Sequence, residues 1–380
     1  MEKTSAQPKT QYQNCDSKFD SELNFEIIVD PNNLYSLREE WSALYNKVDE
    51  TYFTQSFEWN WCCWQKVSEP KGDRLCCLII RCKGQIVLIW PLSISRSRYF
   101  WSIAHPLAYT STEYSDILVD TTKDSKTLIE LALQSLIKNS SIDFMQIPNI
   151  RATSLLYQVV ESIPKTANYI GTAYYVAWEN YPDWDSYYQG LSKNMRHNLS
   201  RRFRALAKLG DIRFEMLGSD YQEELKWLLQ VKENWVIAKK NGRSPFTSNY
   251  FNFLFSIMGH GDNMGGRMQM FVLKLDGKLI AAQLLRVNKT QVETVIGSYD
   301  PDYSQYSPFS LVTEHFMQWC FEQRLTVDFR FGDAEHKEYW KPEQFKVVSY
   351  EVCCSLFGKA LVLSRDIYHK IKLLLQHTQN

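Results

Sequence analysis

The 380-residue sequence predicts an α/β (α+β) fold that contains two copies of one structural unit. A chain of this length exceeds the size at which one hydrophobic core usually stops growing. Its predicted elements follow the order strand, helices, hairpin, strand, helix and strand, and the same order then recurs. Short sequence matches between the two halves are also separated by a nearly constant number of residues. A period this long indicates duplicated domains, since solenoid repeats have periods of roughly 20 to 50 residues.

The first copy follows a polar, Pro- and Gln-rich stretch, residues 1–22, for which we predict a disordered tail. FEIIVD is typical of a strand, and apolar residues at helical spacing in LYSLREEWSALYNKV and YFTQSFEWNWCCWQKV predict two helices. A hairpin centred on Gly84 comes next. The copy is completed by the strand YSDILVD, the helix DSKTLIELALQSLIKNS and the strand IDFMQIP.

The second copy repeats this order. IRFEMLG predicts a strand, YQEELKWLLQVKENWVIAKK and PFTSNYFNFLFSIM predict helices, and a second hairpin is centred on Gly277. VETVIGSYD, SLVTEHFMQWCFEQ and TVDFRFGD then predict strand, helix and strand. We expect a first domain over residues 23–170 and a second over residues 171–380.

Three matches support duplication over a chance likeness of two α/β halves. Two of them share an offset of 193 (277 minus 84, and 246 minus 53), and the third has an offset of 185 (328 minus 143). The matched positions are Phe53-Thr54 with Phe246-Thr247, Gly84 with Gly277, and Asp143 with Asp328.

Charge and motifs exclude several function classes. Lys plus Arg equals Asp plus Glu at 43 each, so no global field attracts DNA or an anionic membrane. Nine cysteines without a CxxC pair indicate reduced thiols and no zinc ribbon, and no apolar run approaches the roughly 18 residues of a membrane span. We therefore expect a cytoplasmic protein without a bound metal. P-loop, GxSxG and HExxH motifs are absent from the sequence.

The stretch after the second hairpin is the best candidate for a site. A strand ends in Gly297-Ser298-Tyr299-Asp300, and a polar loop leads to Ser307-Pro308, a good N-cap followed by a residue suited to the first helical turn. Free amides and the positive end of a helix can bind a pyrophosphate. Gly297 within a β-branched run also predicts a bulge or a splayed strand.

These stretches resemble the GNAT acyltransferase superfamily, and more specifically its duplicated CelD-like branch, associated with cellulose and exopolysaccharide biosynthesis and related in architecture to the Fem-type aminoacyl transferases. The matching stretches are YYQGLSKNMRHNLSRRFRALAKLG, LDGKLIAAQLL, SYDPDYSQYSPFSL and VDFRFGDAEHKEYW. Two positions depart from the family pattern: Phe309 replaces a glycine, and His336 replaces a tyrosine. The resemblance implies two tandem GNAT-like domains, each a mixed, mostly antiparallel sheet flanked by helices.

The resemblance also implies direct acyl transfer from acyl-CoA, such as acetyl-CoA, to an amine or hydroxyl of a small-molecule or saccharide acceptor. Backbone amides at Gly297 and Ser298 would polarise the thioester, and the segment Ser307, Pro308, Phe309 and Ser310 would face the pyrophosphate. A base and an acid are needed. The candidate bases are Glu293, Asp328 and Glu335, and the candidate acid is Tyr299. Lys337 and Trp340 are candidates to hold an anionic group and stack on a ring, although a surface lysine beside a core tryptophan is an equal alternative.

The segment SKNMRHNLSRRFRALAKLG predicts a strongly basic amphipathic helix, with Met195, Leu199, Phe203 and Leu206 on its apolar stripe. Arg196 and Arg201 on this helix are candidate contacts for coenzyme phosphates, a polyanionic acceptor or RNA, while a solvated face is the usual alternative. Two other functions stay open: a Fem-like transfer from aminoacyl-tRNA, and a non-catalytic binding protein on a degenerate GNAT fold, for which Phe309 is the main argument. A C-terminal helix, KALVLSRDIYHKIKLLLQ, is expected to pack on the second domain.

Overall fold

The computed structural model describes residues 22–97, 101–107, 114–218, 220–239, 248–258, 266–332, 335–360 and 362. Nearly all of the predicted tail, the Phe246-Thr247 match and the C-terminal helix beyond residue 362 lie outside the described residues. Among the helices of these ranges, none combines the length and the apolar character needed to cross a bilayer. The eight cysteines within them are free thiols.

The first half contains a strand, a group of helices, a hairpin and a strand–helix–strand unit, as predicted. Its elements are β1 (Leu23–Ile28), α1 (Pro31–Ser36), α2 (Arg38–Lys47), α3 (Phe57–Cys63), β2 (Arg74–Cys82), β3 (Gln85–Arg96), β4 (Ser102–Pro106), β5 (Leu118–Val119), α4 (Ser125–Asn139), β6 (Phe144–Arg151) and α5 (Leu155–Glu161).

The first half ends with one long strand, β7 (Thr166–Val176). After two helices, the second half repeats the order of the first. Its elements are α6 (Trp184–Gly190), α7 (Lys193–Leu206), β8 (Ile212–Leu217), α8 (Gln222–Lys239), α9 (Ser248–Met258), β9 (Gly266–Leu275), β10 (Lys278–Asn288), β11 (Gln291–Tyr299), α10 (Pro308–Glu322), β12 (Thr326–Phe331), α11 (Glu335–Glu338) and β13 (Glu343–Cys353).

The two halves share one continuous sheet in the order β1-β2-β3-β4-β6-β13-β7-β12-β11-β10-β9-β8, with β5 beside β3. Within the described strands, only β4–β6 and β11–β12 are parallel pairs, which confirms the predicted mixed, mostly antiparallel class. The last strand of each half pairs with the other half, because β13 lies against β6 and β7 lies against β12. The expected domain boundary at residue 170 therefore falls inside β7.

The two hairpin turns are alike in backbone conformation. Lys83 and Gly84 have φ values of 52° and 83°, and Asp276 and Gly277 have φ values of 49° and 79°. Positive φ at both central residues is the signature of a two-residue turn that matches the twist of the flanking strands. The Gly84–Gly277 match is therefore confirmed as a structural equivalence.

Asp143 and Asp328, the third match, have different surroundings. Asp143 precedes β6 by one residue, and its carboxylate accepts hydrogen bonds from the Ser102 amide at 2.9 Å and the Ser355 hydroxyl at 2.6 Å. Asp328 lies inside β12, at the boundary between the two halves. Both aspartates therefore lie where the halves meet, but Asp143 bonds to turn and strand-end groups while Asp328 lies within a strand.

A shared core joins the halves on one face of the sheet. Phe53 and Trp59 of the first half are buried together with residues of α8, α9, β9 and β10. The Trp59 ring meets the Phe253 ring edge to face, with 4.7 Å between centroids. This packing brings the segment from residue 52 to residue 63 onto the second half, where it closes one side of the site.

Candidate active site between the two halves

The parallel strands β11 and β12 separate after three paired positions. The pairs are Gln291 with Thr326, Val292 with Val327, and Glu293 with Asp328. Within the described residues the ladder between them ends there, although β11 continues to residue 299 and β12 to residue 331. The separation leaves backbone edges available beyond Glu293 and Asp328.

The predicted irregularity of β11 is therefore real, but it is not centred on Gly297. The register between β10 and β11 shifts so that Val295 is the extra residue, while Gly297 stays paired with Gln283. A bulge of this kind bends the strand locally.

The helix that follows, α10, begins at Pro308 as predicted. Ser307 occupies the N-cap position, but the expectation of a good N-cap is wrong for its side chain, which makes no capping hydrogen bond within the described turn. Ser307 has φ 44° and ψ 55°, whereas a capping serine normally has extended backbone angles that direct its hydroxyl to the first-turn amides. The amides of the first turn therefore lack the usual side-chain acceptor.

Phe309 lies against Gly297 at this opening. A Cβ atom built on Gly297 would stand 2.3 Å from Phe309 Cε2 and 2.3 Å from Gln283 Oε1. The Gln283 amide is held in place, because it donates to the carbonyls of Leu284 at 2.9 Å and Ile296 at 3.2 Å. Glycine is therefore required at 297 by close packing.

Four charged side chains form a buried cluster beside the last paired position. Arg286 donates a hydrogen bond to Glu293, and Arg151 Nη2 lies 3.7 Å from Glu293 Oε1 and 3.1 Å from Asp328 Oδ2. Each of the four residues is at most 4% exposed. Buried charges are tolerated in this way only when they are paired.

Asp328 is held on both carboxylate oxygens. Tyr114 donates its hydroxyl to Oδ1 at 3.0 Å, and the Arg330 amide donates to the same oxygen at 2.6 Å. Burial raises the pKa of Asp328; Arg151 opposes this effect and Glu293 adds to it, so that the net pKa lies above the ordinary range. A raised pKa means that the carboxyl is protonated more readily than an ordinary aspartate.

Glu293 has the opposite balance. Burial raises its pKa, but Arg286 and Arg151 outweigh that effect and hold the pKa below the ordinary value. The neighbouring arginines therefore favour the ionised form of Glu293, while burial favours the protonated form of Asp328.

A cavity of about 190 Å³ lies at this boundary. Its lining combines polar and aromatic side chains from both halves: Tyr52, Arg151, Thr153 and Tyr175 from residues before 177, and Gln291, Thr326, Asp328 and Phe345 from residues after 290. Asp328 thus faces a space that could hold a small molecule.

The other candidates near the end of β12 differ in exposure. Glu335 is exposed on α11. Lys337 is buried and donates to the carbonyls of Arg330 and Phe331, each at 3.0 Å, and Trp340 is 3% exposed, with its carbonyl accepting from Tyr187 at 2.6 Å. These contacts give Lys337 and Trp340 structural roles. Tyr299 is half-buried at the end of β11, beside the opening.

The basic helix α7 packs through Met195, Leu199 and Leu206. Phe203, expected on the same apolar stripe, is 42% exposed and stacks on Phe214 instead, with 6.3 Å between centroids. The helix contacts the 3-10 segment Pro301–Tyr306, which leads to the start of α10. Its exposed basic side chains are Lys193, His197, Arg201 and Arg204, and Lys208 is exposed just beyond its last residue.

The two arginines proposed as substrate contacts differ. Arg196 is half-buried and donates to the carbonyls of Gln189 and, at 2.7 Å, Leu191, so it secures the C-terminal end of α6. Arg201 is exposed and donates to Asn198 at 3.2 Å. Of these two arginines, only Arg201 has its guanidinium on the exposed face of α7.

All of the site residues predicted from the sequence lie in the second half, whereas the buried cluster and the cavity also include residues of the first half. Arg151, Tyr52 and Tyr114 of the first half contribute to the cluster or the cavity. Arg286 was also missed, although an arginine inside the apolar run LIAAQLLRV is a signal that a buried charge needs a partner. In the described residues, no group of three His, Cys, Asp or Glu side chains is arranged to hold a metal ion.

Residues 193–338 match the family model described as "Acetyltransferase (GNAT) domain". Among curated proteins, no sequence relative is found.

Several solved structures share the fold at low sequence identity. FemX is 11% identical, with a TM-score of 0.57, and the match covers 82% of this chain and 95% of FemX. The C-terminal domain (DUF2156) of a putative lysylphosphatidylglycerol synthetase from Agrobacterium fabrum is 14% identical, with a TM-score of 0.53, over 87% of this chain and 95% of that one. A tandem GNAT protein from the clavulanic acid biosynthesis pathway is 10% identical, with a TM-score of 0.51, over 88% and 99%. Residues 193–338 are therefore similar to a GNAT acetyltransferase domain, and the fold of the chain is similar to that of a tandem GNAT protein.

Proposed function

We propose that this protein transfers an acyl group from acyl-CoA to an amine or hydroxyl of a second substrate. The observation that carries the proposal is the opening between β11 and β12, which extends from the last paired residues, Glu293 and Asp328, toward the start of α10. The cavity between the halves includes Asp328 in its lining. An acyl donor in the opening and an acceptor in the cavity would therefore meet at Asp328.

The residues at the opening suit an acyl-CoA donor. The backbone edge of β11 near Gly297 and Ser298 offers groups for the pantetheine arm and the thioester carbonyl. The first turn of α10, where the Ser307 side chain makes no cap, offers the positive helix end and the Phe309 amide for the pyrophosphate. Pro308 has no N–H, and the Ser310 amide already donates to the Ser307 carbonyl at 3.0 Å. Phe309 would line this channel where it packs on Gly297.

The chemistry requires one base and one acid. Asp328 would take the proton from the attacking amine or hydroxyl as the new bond to the thioester carbon forms. The carbon–sulfur bond then breaks, and Tyr299 is the candidate that returns a proton to the departing thiolate. Glu293 keeps its charge throughout and balances Arg286 and Arg151.

Calorimetric titration with acetyl-CoA tests the donor assignment. We expect saturable binding at one site, together with slow thiol release that an aromatic disulfide reagent detects in the presence of an acceptor. Absence of binding to protein that circular dichroism shows to be folded would contradict the proposal.

Gly297→Ala is expected to weaken acetyl-CoA binding about tenfold or more. The added methyl group must displace the Phe309 ring or the fixed Gln283 amide, which typically costs about 1–3 kcal/mol of folding stability. A displaced ring would narrow the opening that the donor is proposed to enter. The matched control is Gly218→Ala, because a Cβ atom there meets nothing within 4 Å. Equal affinity of the two variants would show that the donor does not use this part of β11.

Two alternatives are supported by particular observations. The exposed basic face of α7 favours a nucleic acid ligand, as a Fem-like transfer from aminoacyl-tRNA would need. The packing of Phe309 on Gly297 favours a non-catalytic binding protein. Phe309→Ala tests the non-catalytic alternative. If the variant binds acetyl-CoA and the natural protein does not, the site is degenerate. Retention of tRNA by the purified protein would favour the first.

A small polar acceptor fits the cavity between the halves. Its polar lining includes Thr153, Gln291 and Thr326, and the rings of Tyr52 and Phe345 offer surfaces on which a sugar could stack. A saccharide acceptor would agree with the motif-based placement in the CelD-like branch. Membership of the CelD-like branch is a proposal that rests on the sequence motifs.

A further inference from the structure

We propose that Arg151, a residue of the first half, is the positioning residue for the catalytic carboxyl of Asp328 in the second half. The inference rests on the proposed function for its catalytic meaning. Arg151 orients the Asp328 carboxyl and lowers its pKa whether or not the protein transfers acyl groups.

The contacts of Arg151 fix its guanidinium in one place. Its plane lies between two aromatic rings, with Cζ 3.6 Å from the centroid of Tyr52 and 3.9 Å from that of Tyr114. Nη2 reaches Asp328 Oδ2 at 3.1 Å and Glu293 Oε1 at 3.7 Å. A planar cation suits this arrangement, because it can stack on rings and bond to carboxylates at its edge.

Tyr114 completes the arrangement on the other side of Asp328. Its hydroxyl donates to Oδ1 at 3.0 Å, while Arg151 holds Oδ2. The same tyrosine ring also packs on the guanidinium. Both oxygens of Asp328 thus have donors that touch each other, so the orientation of the carboxyl depends on Arg151.

The charges around Asp328 come from several elements. Arg151 ends β6, Glu293 lies on β11 and is paired with Arg286 of β10, and Arg330 follows on β12. Burial raises the pKa of Tyr52 to about 12, so that side chain is neutral at physiological pH. Arg151 is the cation that bonds directly to the Asp328 carboxylate through its side chain.

The exchanged strands explain why the first half supplies this residue. Arg151 pairs with Val347 of β13, and β13 pairs along its length with β7. Tyr175 of β7 in turn pairs with Asp328. Arg151 and Asp328 therefore stand on strands whose spacing is fixed by β13 and β7, and the two halves must assemble before the pair forms.

The test is an NMR titration of protein labelled with ¹³C at the aspartate carboxyl carbons, with Asp328→Asn used to assign the Asp328 signal. In Arg151→Met we expect the Asp328 midpoint to rise by about 1 pH unit or more, because an adjacent opposite charge typically lowers a carboxyl pKa by that amount. The pH profile of acyl transfer should move in the same direction. Arg213→Met, which removes an exposed ion pair with Asp211, is the matched control and should leave the midpoint in place.

Arg151→Lys is the second variant, and it decides the question if Arg151→Met does not fold. A lysine keeps the charge but cannot stack between both rings while it reaches two carboxylates, so we expect a smaller rise of the same sign. An Asp328 midpoint equal to that of the natural protein in the folded variants would overturn the proposal, whatever their stability. A shifted midpoint in a protein that never binds acetyl-CoA would retain the link and refute the proposed function instead.

Discussion

Asp328→Asn is expected to lower kcat for acyl transfer by about 10²-fold or more, with a much smaller change in the KM for acetyl-CoA. The amide cannot accept the proton of the attacking group, and general-base catalysis typically contributes about 10²–10⁴-fold. In the natural protein, the rate should rise with pH as Asp328 loses its proton, with a midpoint above the ordinary aspartate range because the pKa of Asp328 is raised. Steady-state kinetics across pH measures both effects.

The asparagine is nearly isosteric with aspartate and can still accept the hydrogen bond from Tyr114, so the variant should fold. Asp211→Asn is the matched control, since Asp211 is exposed and bonds to Arg213 at the surface. We expect its activity to equal that of the natural protein. If Asp328→Asn were as active as this control, Asp328 would not be the base, and Glu335 or a water-mediated route would have to be considered.

Arg286→Met is expected to cost about 3–5 kcal/mol of unfolding free energy. The substitution removes the cation that hydrogen-bonds to Glu293 and leaves Arg151 Nη2 3.7 Å from Glu293 Oε1. Breaking one side of a buried ion pair typically has this cost. Chemical denaturation followed by circular dichroism measures the change.

A double variant isolates the cause. Arg286→Met with Glu293→Leu removes both charges, and replacement of a buried ion pair by apolar groups is often close to neutral, so most of the lost stability should return. Arg213→Met should cost less than about 1 kcal/mol, as expected for an exposed pair. If the single and double variants lost the same unfolding free energy, the loss would come from packing around Arg286, such as its contact with Trp59, and not from the unpaired charge.

The features that the sequence predicted well are those set by local interactions. The two hairpins could be located because Gly84 and Gly277 occupy turn positions with positive φ, which few other residues adopt. The start of α10 was found from Ser307-Pro308, since proline suits the first helical turn. The left-handed backbone conformation of Ser307 was not predicted, because it depends on the 3-10 segment that precedes it.

The features that were missed depend on long-range pairing. No local pattern around residue 170 shows that β7 and β13 exchange places between the halves. Arg151 ends a strand that looks ordinary in isolation, and its partners Asp328 and Glu293 lie more than a hundred residues away in the chain. Lys337 was singled out by motif resemblance, and its bonds to two backbone carbonyls become evident only in three dimensions.

The central claim is that an acyl donor lies between β11 and β12 and meets an acceptor at Asp328. A crystal structure of the full chain with acetyl-CoA tests it most directly. We predict electron density for the pantetheine arm along β11 near Gly297, for the pyrophosphate at the first turn of α10, and for the acetyl group toward Asp328. Density in the first half, between β4 and β6, or clear density for Phe309 closing an empty channel at saturating acetyl-CoA, would contradict the claim.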